Sequence, residues 1–450
     1  MSVLPLFKNN ETKNFKFTQE QYIVLETEYE RYNCYLELLK RFDTIYKLKD
    51  SFDYTNHKRY EIKNIIDRFI LECINHGISP EIYSSSNIQE LIPKMESMEQ
   101  TTYLNNYLFF NPLLETIWNG NGNVNRNINN ELGAMCKTIY YNKMLQELKE
   151  KHFYVNPENV MKINKAFYDC HKAFSAIRQR LLNNPTKISA DCSITYLVIH
   201  DPKSSPKNPT TLEDFVIRYK NYYKTINATR YLNLIKNYDK PFPFDILRVL
   251  LRYAIFDTSS QQWSIGMNLY EEISELFNIS FEMFASPLNF NMNRFCSLFI
   301  DTDKVFGSFG SFYNITCEKL LNQNIKGVFY NPPYCPILMT HTTKICINLL
   351  SEMEYNNVDF NIISFLPNWA DAEYIIDFVK AKYTVSTKVI PKGQYFIHEK
   401  DKGKVIKGSF DLLILHLNSM KNRKTPAEID VLQRNFNQII KLTKEEVKLN

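Results

Sequence analysis

The chain has 450 residues, 44% of them hydrophobic and 14% aromatic, with 23% charged and a net charge of +5. That is enough apolar material for two domains, and it excludes a largely disordered protein. Only 11 glycines argue against a glycine-rich nucleotide loop, and the nine cysteines form neither a CxxC pair nor a zinc-spaced cluster, so they read as free thiols in a reducing compartment.

The amino end, Met1 to Pro5, has no charged and apolar regions of a signal peptide, and no stretch is long and apolar enough to span a bilayer. An intracellular protein, cytoplasmic or nuclear, is expected. The heavy use of Asn, Ile, Lys and Tyr fits the coding bias of an AT-rich genome, such as that of a large virus or a protist.

The first part of the chain reads as helical. Thr18 with Gln21 has the form of a capping box, and helical spacing runs from Tyr22 to Phe42. A second helix is predicted from Ile62 to Ile74, with Gly77 and Pro80 as its stop signal. Gly120 and Gly122, in the Asn-rich stretch from Asn119 to Asn130, mark a loop. Asn156-Pro157 opens a third helix with Val160, Ile163, Phe167, Phe174, Ile177 and Leu181 on one face. Cys192 to Ile199 alternates like a strand, and Asp201 to Pro209 reads as a linker. Leu212 to Tyr238 is predicted as a helix in which Arg218, Lys220, Lys224 and Arg230 lie among tyrosines. Such a face is either solvated or in contact with RNA. Pro241 and Pro243 place a domain boundary near residue 240, dividing the chain into 1–240, mostly helical, and 241–450.

From Phe244 the texture alternates. Helices are predicted at Asp245–Arg252, Leu269–Phe277, Pro336–Leu350 and Asp371–Lys382. Strands are predicted at Phe281–Phe284, Val328–Tyr330, Phe360–Leu366, Thr384–Ile390 and Phe410–Leu417, with an apolar run at Ser297–Ile300 and a polar loop at Gln394–Lys407. Thr425 and Glu428 cap a last helix. This alternation predicts an α/β domain with a mostly parallel sheet covered on both faces.

Three strand ends carry chemistry. Val328-Phe329-Tyr330 runs into Asn331-Pro332-Pro333-Tyr334, where two prolines end the strand. The carboxyl end of such a strand is where α/β sheets bind ligands. An Asn oxygen and the neighbouring Pro332 carbonyl can accept the two hydrogens of an exocyclic amine, and Tyr334 offers a face for an unstacked base. The bland alternative is a proline-rich turn. Ala285-Ser286-Pro287-Leu288-Asn289 supplies small residues that let a cofactor approach the backbone, or else a stiffened turn. Asp301-Thr302-Asp303 supplies an acid for ribose hydroxyls, or else a helix cap. In this order the three resemble an S-adenosylmethionine-dependent methyltransferase: cofactor loop, ribose acid, catalytic turn. Asn111-Pro112 and the isolated histidines His200, His341, His398 and His416 read as structural, and no metal-ligand cluster is expected.

The stretch Phe281-Glu282-Met283-Phe284-Ala285-Ser286-Pro287-Leu288-Asn289 resembles the phosphorylated-CTD-interacting factor family of cap-specific adenosine N6-methyltransferases. The resemblance continues through Phe295-Cys296-Ser297, Asp301-Thr302-Asp303, Phe306-Gly307-Ser308 and Asn331-Pro332-Pro333-Tyr334-Cys335. It runs more loosely through Phe365-Leu366-Pro367-Asn368-Trp369. It implies a Rossmann-type class I methyltransferase domain packed on a helical domain, S-adenosyl-L-methionine as donor and capped mRNA as substrate. Asn331, Pro332, Pro333 and Tyr334 would be catalytic. Phe284, Ala285, Ser286, Pro287, Asn289, Asp301 and Asp303 would hold the cofactor, and Trp369, Lys400, Lys402 and Lys404 would meet the substrate. The family's usual Phe is Tyr334 here, its Arg after Phe-Gly-Ser is Phe309, and His398-Glu399-Lys400 is the nearest echo of its His-Glu-Tyr-Arg segment. No WW domain is expected. A DNA adenine N6-methyltransferase and a catalytically silent RNA-binding or scaffold relative stay open, as does a partner protein.

Overall fold

The computed structural model describes residues 11–48, 57–75, 143–183, 190–200, 211–236, 243–256, 263–400 and 403–449. The expected features at Gly77, Pro80, Asn111-Pro112, Asn119–Asn130, Asp201–Pro209, Pro241 and Lys402 lie outside them.

The first half builds strand β1 (Thr12–Phe15), helices α1 (Gln19–Ile45), α2 (His57–Asn75) and α3 (Pro157–Asn183), strands β2 (Cys192–His200), β3 (Thr211–Tyr219) and β4 (Tyr222–Asn227), and helix α4 (Ala228–Lys236). The helix starts follow from their caps. The Thr18 hydroxyl accepts from the Gln21 amide while the Gln21 side chain accepts from the Thr18 amide, closing the capping box. Asn156 caps Asn159 at 2.8 Å ahead of Pro157.

The helix predicted across Leu212–Tyr238 is corrected. Its first two thirds are the hairpin β3–β4, in a four-stranded antiparallel sheet of order β1-β2-β3-β4. Phe215, Ile217 and Tyr219 alternate inward while Arg218 points to water, a period of two that a tyrosine- and lysine-rich composition disguises. Lys220, with φ 51°, takes the left-handed position of the turn. Only Ala228–Lys236 is helical.

The second half contains α5 (Pro243–Tyr253), β5 (Trp263–Ser264), α6 (Met267–Phe277), β6 (Phe281–Glu282), α7 (Cys317–Asn322), β7 (Gly327–Tyr330), α8 (Pro336–Tyr355), β8 (Asn361–Pro367), α9 (Glu373–Lys380), β9 (Thr384–Ile390), β10 (Phe396–Glu399), β11 (Lys404–Lys407), β12 (Leu412–Asn418) and α10 (Pro426–Leu449). A five-stranded sheet runs β6-β7-β8-β12-β9. β6, β7 and β8 are parallel, and β12 is antiparallel to both its neighbours, so β9 runs in the same direction as the first three and the sheet is mostly parallel, as expected, with β12 alone reversed. β7, β8 and β12 are buried along their length, as continuous apolar runs covered on both faces must be. α8 and α9 cover one face with Met339, Leu350, Tyr374 and Phe378, and α6 and α10 cover the other with Tyr270, Ile273, Phe436 and Ile439.

The polar loop predicted at Gln394–Lys407 is instead the hairpin β10–β11, which pairs with β5. Asp301-Thr302-Asp303 does not follow a strand: Ile300–Asp303 is a single helical turn. The core of the first half does not stop at residue 240. It includes Ile246, Leu250 and Tyr253 of α5 and continues to Leu288, Phe295, Phe306 and Leu338. Among the described residues no helix is long and apolar enough to cross a membrane, and Cys34, Cys170, Cys192, Cys296, Cys317, Cys335 and Cys346 are free and buried.

A buried ion network ties α1 to α5. Arg252 donates to Glu28, at 2.6 Å from Nε, and to both oxygens of Asp301 at 3.0 Å. Arg248 reaches Asp301 at 2.7 Å, and Arg31 reaches Glu28 at 3.2 Å. Burial acts to raise the Glu28 carboxyl, but Arg252 and Arg31 outweigh it and hold it down at about 2. Because the folded value lies below the unfolded one, about 4.3, this stabilisation is present above that value and lost as pH falls toward about 2. Glu28→Ala removes the carboxylate that Arg31 and Arg252 share, leaving Arg252 to Asp301, and is expected to lose about 3–5 kcal/mol. Glu28→Gln should flatten the pH dependence of stability between about 4 and 2. Urea unfolding over that pH range checks both, and an unchanged acid slope would remove Glu28 from the account.

Candidate functional site

β6 and β7 are neighbours, parallel, and stop at the same level, Glu282 opposite Phe329. A cleft opens beyond their carboxyl ends. Its walls are Phe284, Ala285, Ser286 and Asn289 from the loop after β6 and Asn331, Pro332, Pro333 and Tyr334 from the turn after β7. Cys296, Ser297, Leu298, Phe312, Tyr253, Phe256, Trp263 and Leu71 complete them.

The loop after β6 is a built object. Ala285 donates its amide to the Cys296 carbonyl at 2.9 Å. The Ser286 amide and hydroxyl both meet Asn289 Oδ1, at 2.8 and 3.1 Å, and the Asn289 and Phe290 amides return to the Ser286 carbonyl at 3.1 and 3.0 Å. The loop closes on the buried Glu282 carboxylate, which accepts from the Asn291 amide at 2.7 Å and the Met292 amide at 3.1 Å. Pro287 has no N–H to leave unpaired.

The turn after β7 is acceptor-rich. The Pro333 carbonyl is taken by the Cys335 amide at 2.7 Å, which leaves the Pro332 carbonyl as the acceptor facing no backbone donor. Asn331 Oδ1 accepts from the Tyr334 hydroxyl at 3.3 Å and keeps a second lone pair. Burial pushes the Tyr334 phenol up, so it stays a neutral donor. The Tyr334 ring meets Phe410 edge-on at 5.4 Å and Trp263 at 6.4 Å. Tyr395 stands behind Phe410 at 5.9 Å.

Eight of the residues singled out from sequence thus share one cleft: Phe284, Ala285, Ser286, Asn289, Asn331, Pro332, Pro333 and Tyr334. The others stand elsewhere. Pro287 turns its carbonyl to Arg230. Asp301 is spent on Arg248 and Arg252 and does not line the cleft. Asp303 is buried behind Tyr253, whose hydroxyl it accepts at 2.6 Å, and burial pushes its carboxyl up to about 6 against the hydrogen bonds from Tyr253, Ser297 and Thr302. Trp369 lies two residues beyond the end of β8, 39% exposed and beside Tyr374. Lys400 lies over the Tyr270 ring at 5.8 Å, and burial, opposed by Glu282, brings its ammonium down to about 7. Lys404 is exposed, in register with Glu399. Among the described residues no group of His, Cys, Asp and Glu could hold a metal ion.

Sequence reasoning missed Trp263, Tyr253, Phe256 and Phe312. Trp263 sits in a two-residue strand and donates its indole N–H to Glu399 at 3.3 Å. No periodicity marks so short an element, and only the pairing of β5 with β10 brings the indole to the Asn331 turn.

Fold and cleft define an α/β protein with a ligand site at the carboxyl ends of adjacent parallel strands. Residues 219–399 match the family model described as the Phosphorylated CTD interacting factor 1 WW domain. Over those residues, about two fifths of the chain, it is similar to the phosphorylated CTD interacting factor 1 family. The mRNA (2'-O-methyladenosine-N(6)-)-methyltransferase of Mus musculus is 32% identical over 125 residues, which is 28% of this chain and 16% of that protein. The Homo sapiens protein of the same name is 31% identical over 125 residues. The match thus spans about 16% of the length of these curated relatives. The expectation that a WW domain is missing is corrected by the family match, whose description is that domain. The matched residues run from the end of β3 to the end of β10 and so take in both walls of the cleft.

The aromatic backing of Tyr334 depends on Gly408. A Cβ there would lie 2.0 Å from Cζ of the Tyr395 ring. Gly408→Ala is therefore expected to displace Tyr395 and lower stability by about 1–3 kcal/mol. Denaturant unfolding measures it; a neutral result would mean that Tyr395 does not hold this place.

Proposed function

We propose that this chain is an S-adenosylmethionine-dependent RNA adenine N6-methyltransferase acting on the adenosine beside the cap of mRNA. The observation that carries the reading is the meeting of the Phe284–Asn289 loop and the Asn331–Tyr334 turn in one cleft. The activity named for the mouse and human relatives supports it. In this reading the sheet from β6 to β12 is the Rossmann-type methyltransferase domain. The preceding domain is the cap and RNA side, and it reaches past residue 240, because α5 shares its core.

The cleft fits the cofactor by its donor set. Ser286 and Asn289 offer polar atoms beside small Ala285, while Phe284 and Phe312 offer aromatic surface with ring centroids 4.7 Å apart. Phe284, Ala285, Ser286 and Asn289 would hold S-adenosylmethionine, and the role first given to Asp301 passes to other groups. When bound, the cofactor supplies an electrophilic methyl on sulfur.

What the chain itself does is place and polarise the amine. An adenine amino nitrogen is a poor nucleophile because its lone pair is delocalised into the ring. Asn331 Oδ1 and the Pro332 carbonyl accept its two hydrogens, favour a pyramidal nitrogen and gain strength as positive charge develops on it. The prolines keep these acceptors rigid and free of competing N–H groups. Tyr334 gives the lifted base a face, with Phe410 and Trp263 holding its ring at right angles. Lys404 is the exposed cation that remains for phosphate contact, with Trp369 at the neighbouring strand end. A partner protein is compatible with this reading.

The test is transfer of labelled methyl to capped RNA beginning with adenosine, with uncapped RNA and duplex DNA alongside, followed by nucleoside analysis. Asn331→Ala is expected to lower turnover by on the order of 10²–10³ with cofactor affinity little changed. Tyr334→Phe keeps the ring, loses one hydrogen bond to Asn331 and should retain most activity. Tyr334→Ala should fail, since base stacking on an aromatic is worth about 1–3 kcal/mol. Wild-type turnover in Asn331→Ala would make the turn structural. Preference for duplex DNA would move the substrate, and absence of S-adenosylmethionine binding would leave a silent relative.

A further inference from the structure

Arg230 lies in α4, in the first half of the chain, among cations that the sequence offered for RNA contact. The structure buries it, 4% exposed. Its Nε donates to the Pro287 carbonyl at 2.9 Å, and Nη2 donates to the same oxygen. Its Nη1 donates to the Phe290 carbonyl at 2.8 Å. The guanidinium carbon stands 4.0 Å from the centroid of the Phe290 ring, which stacks in turn on Phe295 at 5.0 Å.

The bonds inside the Phe284–Asn289 loop fix its shape but not its place. Ala285 is tethered at the front through Cys296, and Asn291 is tethered at the back through Glu282. Between them the tip, Pro287 to Phe290, has backbone carbonyls that a proline-bearing turn cannot pair for itself. One planar fork that reaches two carbonyls three residues apart positions the whole tip. A lysine, a point donor on a flexible stem, reaches the same carbonyls without fixing their relative orientation.

We infer that Arg230 is the positioning residue of the cofactor loop: from the first half of the chain it sets where the loop stands in the cleft, and through that the affinity for S-adenosylmethionine. The cofactor part of this statement rests on the reading of the cleft given above. The loop part does not.

The experiment compares the full chain with Arg230→Met and Arg230→Lys. In the protein without ligand, hydrogen–deuterium exchange of segment 284–291 is expected to quicken in Arg230→Met, while segment 327–330 of β7 stays protected. Calorimetry with S-adenosylmethionine should then show a dissociation constant raised by about tenfold, equivalent to about 1.4 kcal/mol of binding, with Arg230→Lys between the two. Equal exchange of segment 284–291 in wild type and Arg230→Met overturns the inference. So does quickening that spreads equally to segment 327–330, which would make Arg230 a general packing residue. If wild type itself fails to bind S-adenosylmethionine, the proposed activity falls, and the exchange comparison still decides the role of Arg230.

Discussion

Arg252 is fully buried, and the two carboxylates that balance it, Glu28 and Asp301, come from distant parts of the chain. A charge removed from water is held only by close, well-aligned partners, since the desolvation of each ion amounts to several kcal/mol. The network therefore tolerates little sliding between α1, α5 and the turn at Ile300–Asp303. That rigidity matters for the site. Tyr253 follows Arg252 in sequence, lines the cleft and donates to Asp303, two residues beyond Asp301. The wall of the cleft is thus referenced to the first helix of the protein through fixed charges. Replacing such a network by apolar residues of equal volume can preserve stability, but it would give up the directional bonds that set this register.

The cleft itself follows from two strand endings. β7 ends because Asn331-Pro332-Pro333 cannot extend a ladder, and β6 ends because the chain after Glu282 folds back onto its carboxylate. The ending of β7 brings acceptors to the cleft lining, Asn331 Oδ1 and the Pro332 carbonyl, whereas Asn289 Oδ1 is taken by Ser286. The aromatic walls at Phe284, Phe312, Trp263 and Tyr334 lower the polarity around the cleft and so strengthen polar contacts within it. A ligand rich in N–H donors and flat rings matches this surface, and adenine has both. Burial likewise displaces Lys400 and Asp303 toward their neutral forms.

Much of the second half was legible from its residues. The strands at β7, β8, β9 and β12 and the helices α5, α6, α8 and α9 announce themselves by continuous apolar runs, by caps and by prolines. So does the Asn331 turn, because its chemistry is local: four consecutive residues carry it. The Phe284–Asn289 loop is local too, with Ser286 and Asn289 three apart and bonded to each other. Asp301 was misleading for a physical reason. An acid near a strand end looks the same in sequence whether it faces ribose or an arginine, and two guanidinium groups from α5 take it here. The hairpins β3–β4 and β10–β11 were misread because lysine and tyrosine fit a solvated helix, a loop and an outward strand face alike, and only cross-strand pairing distinguishes them.

What the sequence by itself determined is whatever depends on a few neighbouring residues: where helices start, where β7 must stop, and which short segments carry acceptors and small side chains. What only the tertiary structure decided is which distant groups stand behind those segments. Arg230 reaches Pro287 across 57 positions, and Trp263 reaches Glu399 across 136. Such contacts have no period and no local propensity. They are fixed by the satisfaction of buried polar groups, which is settled only when the whole chain has folded around them.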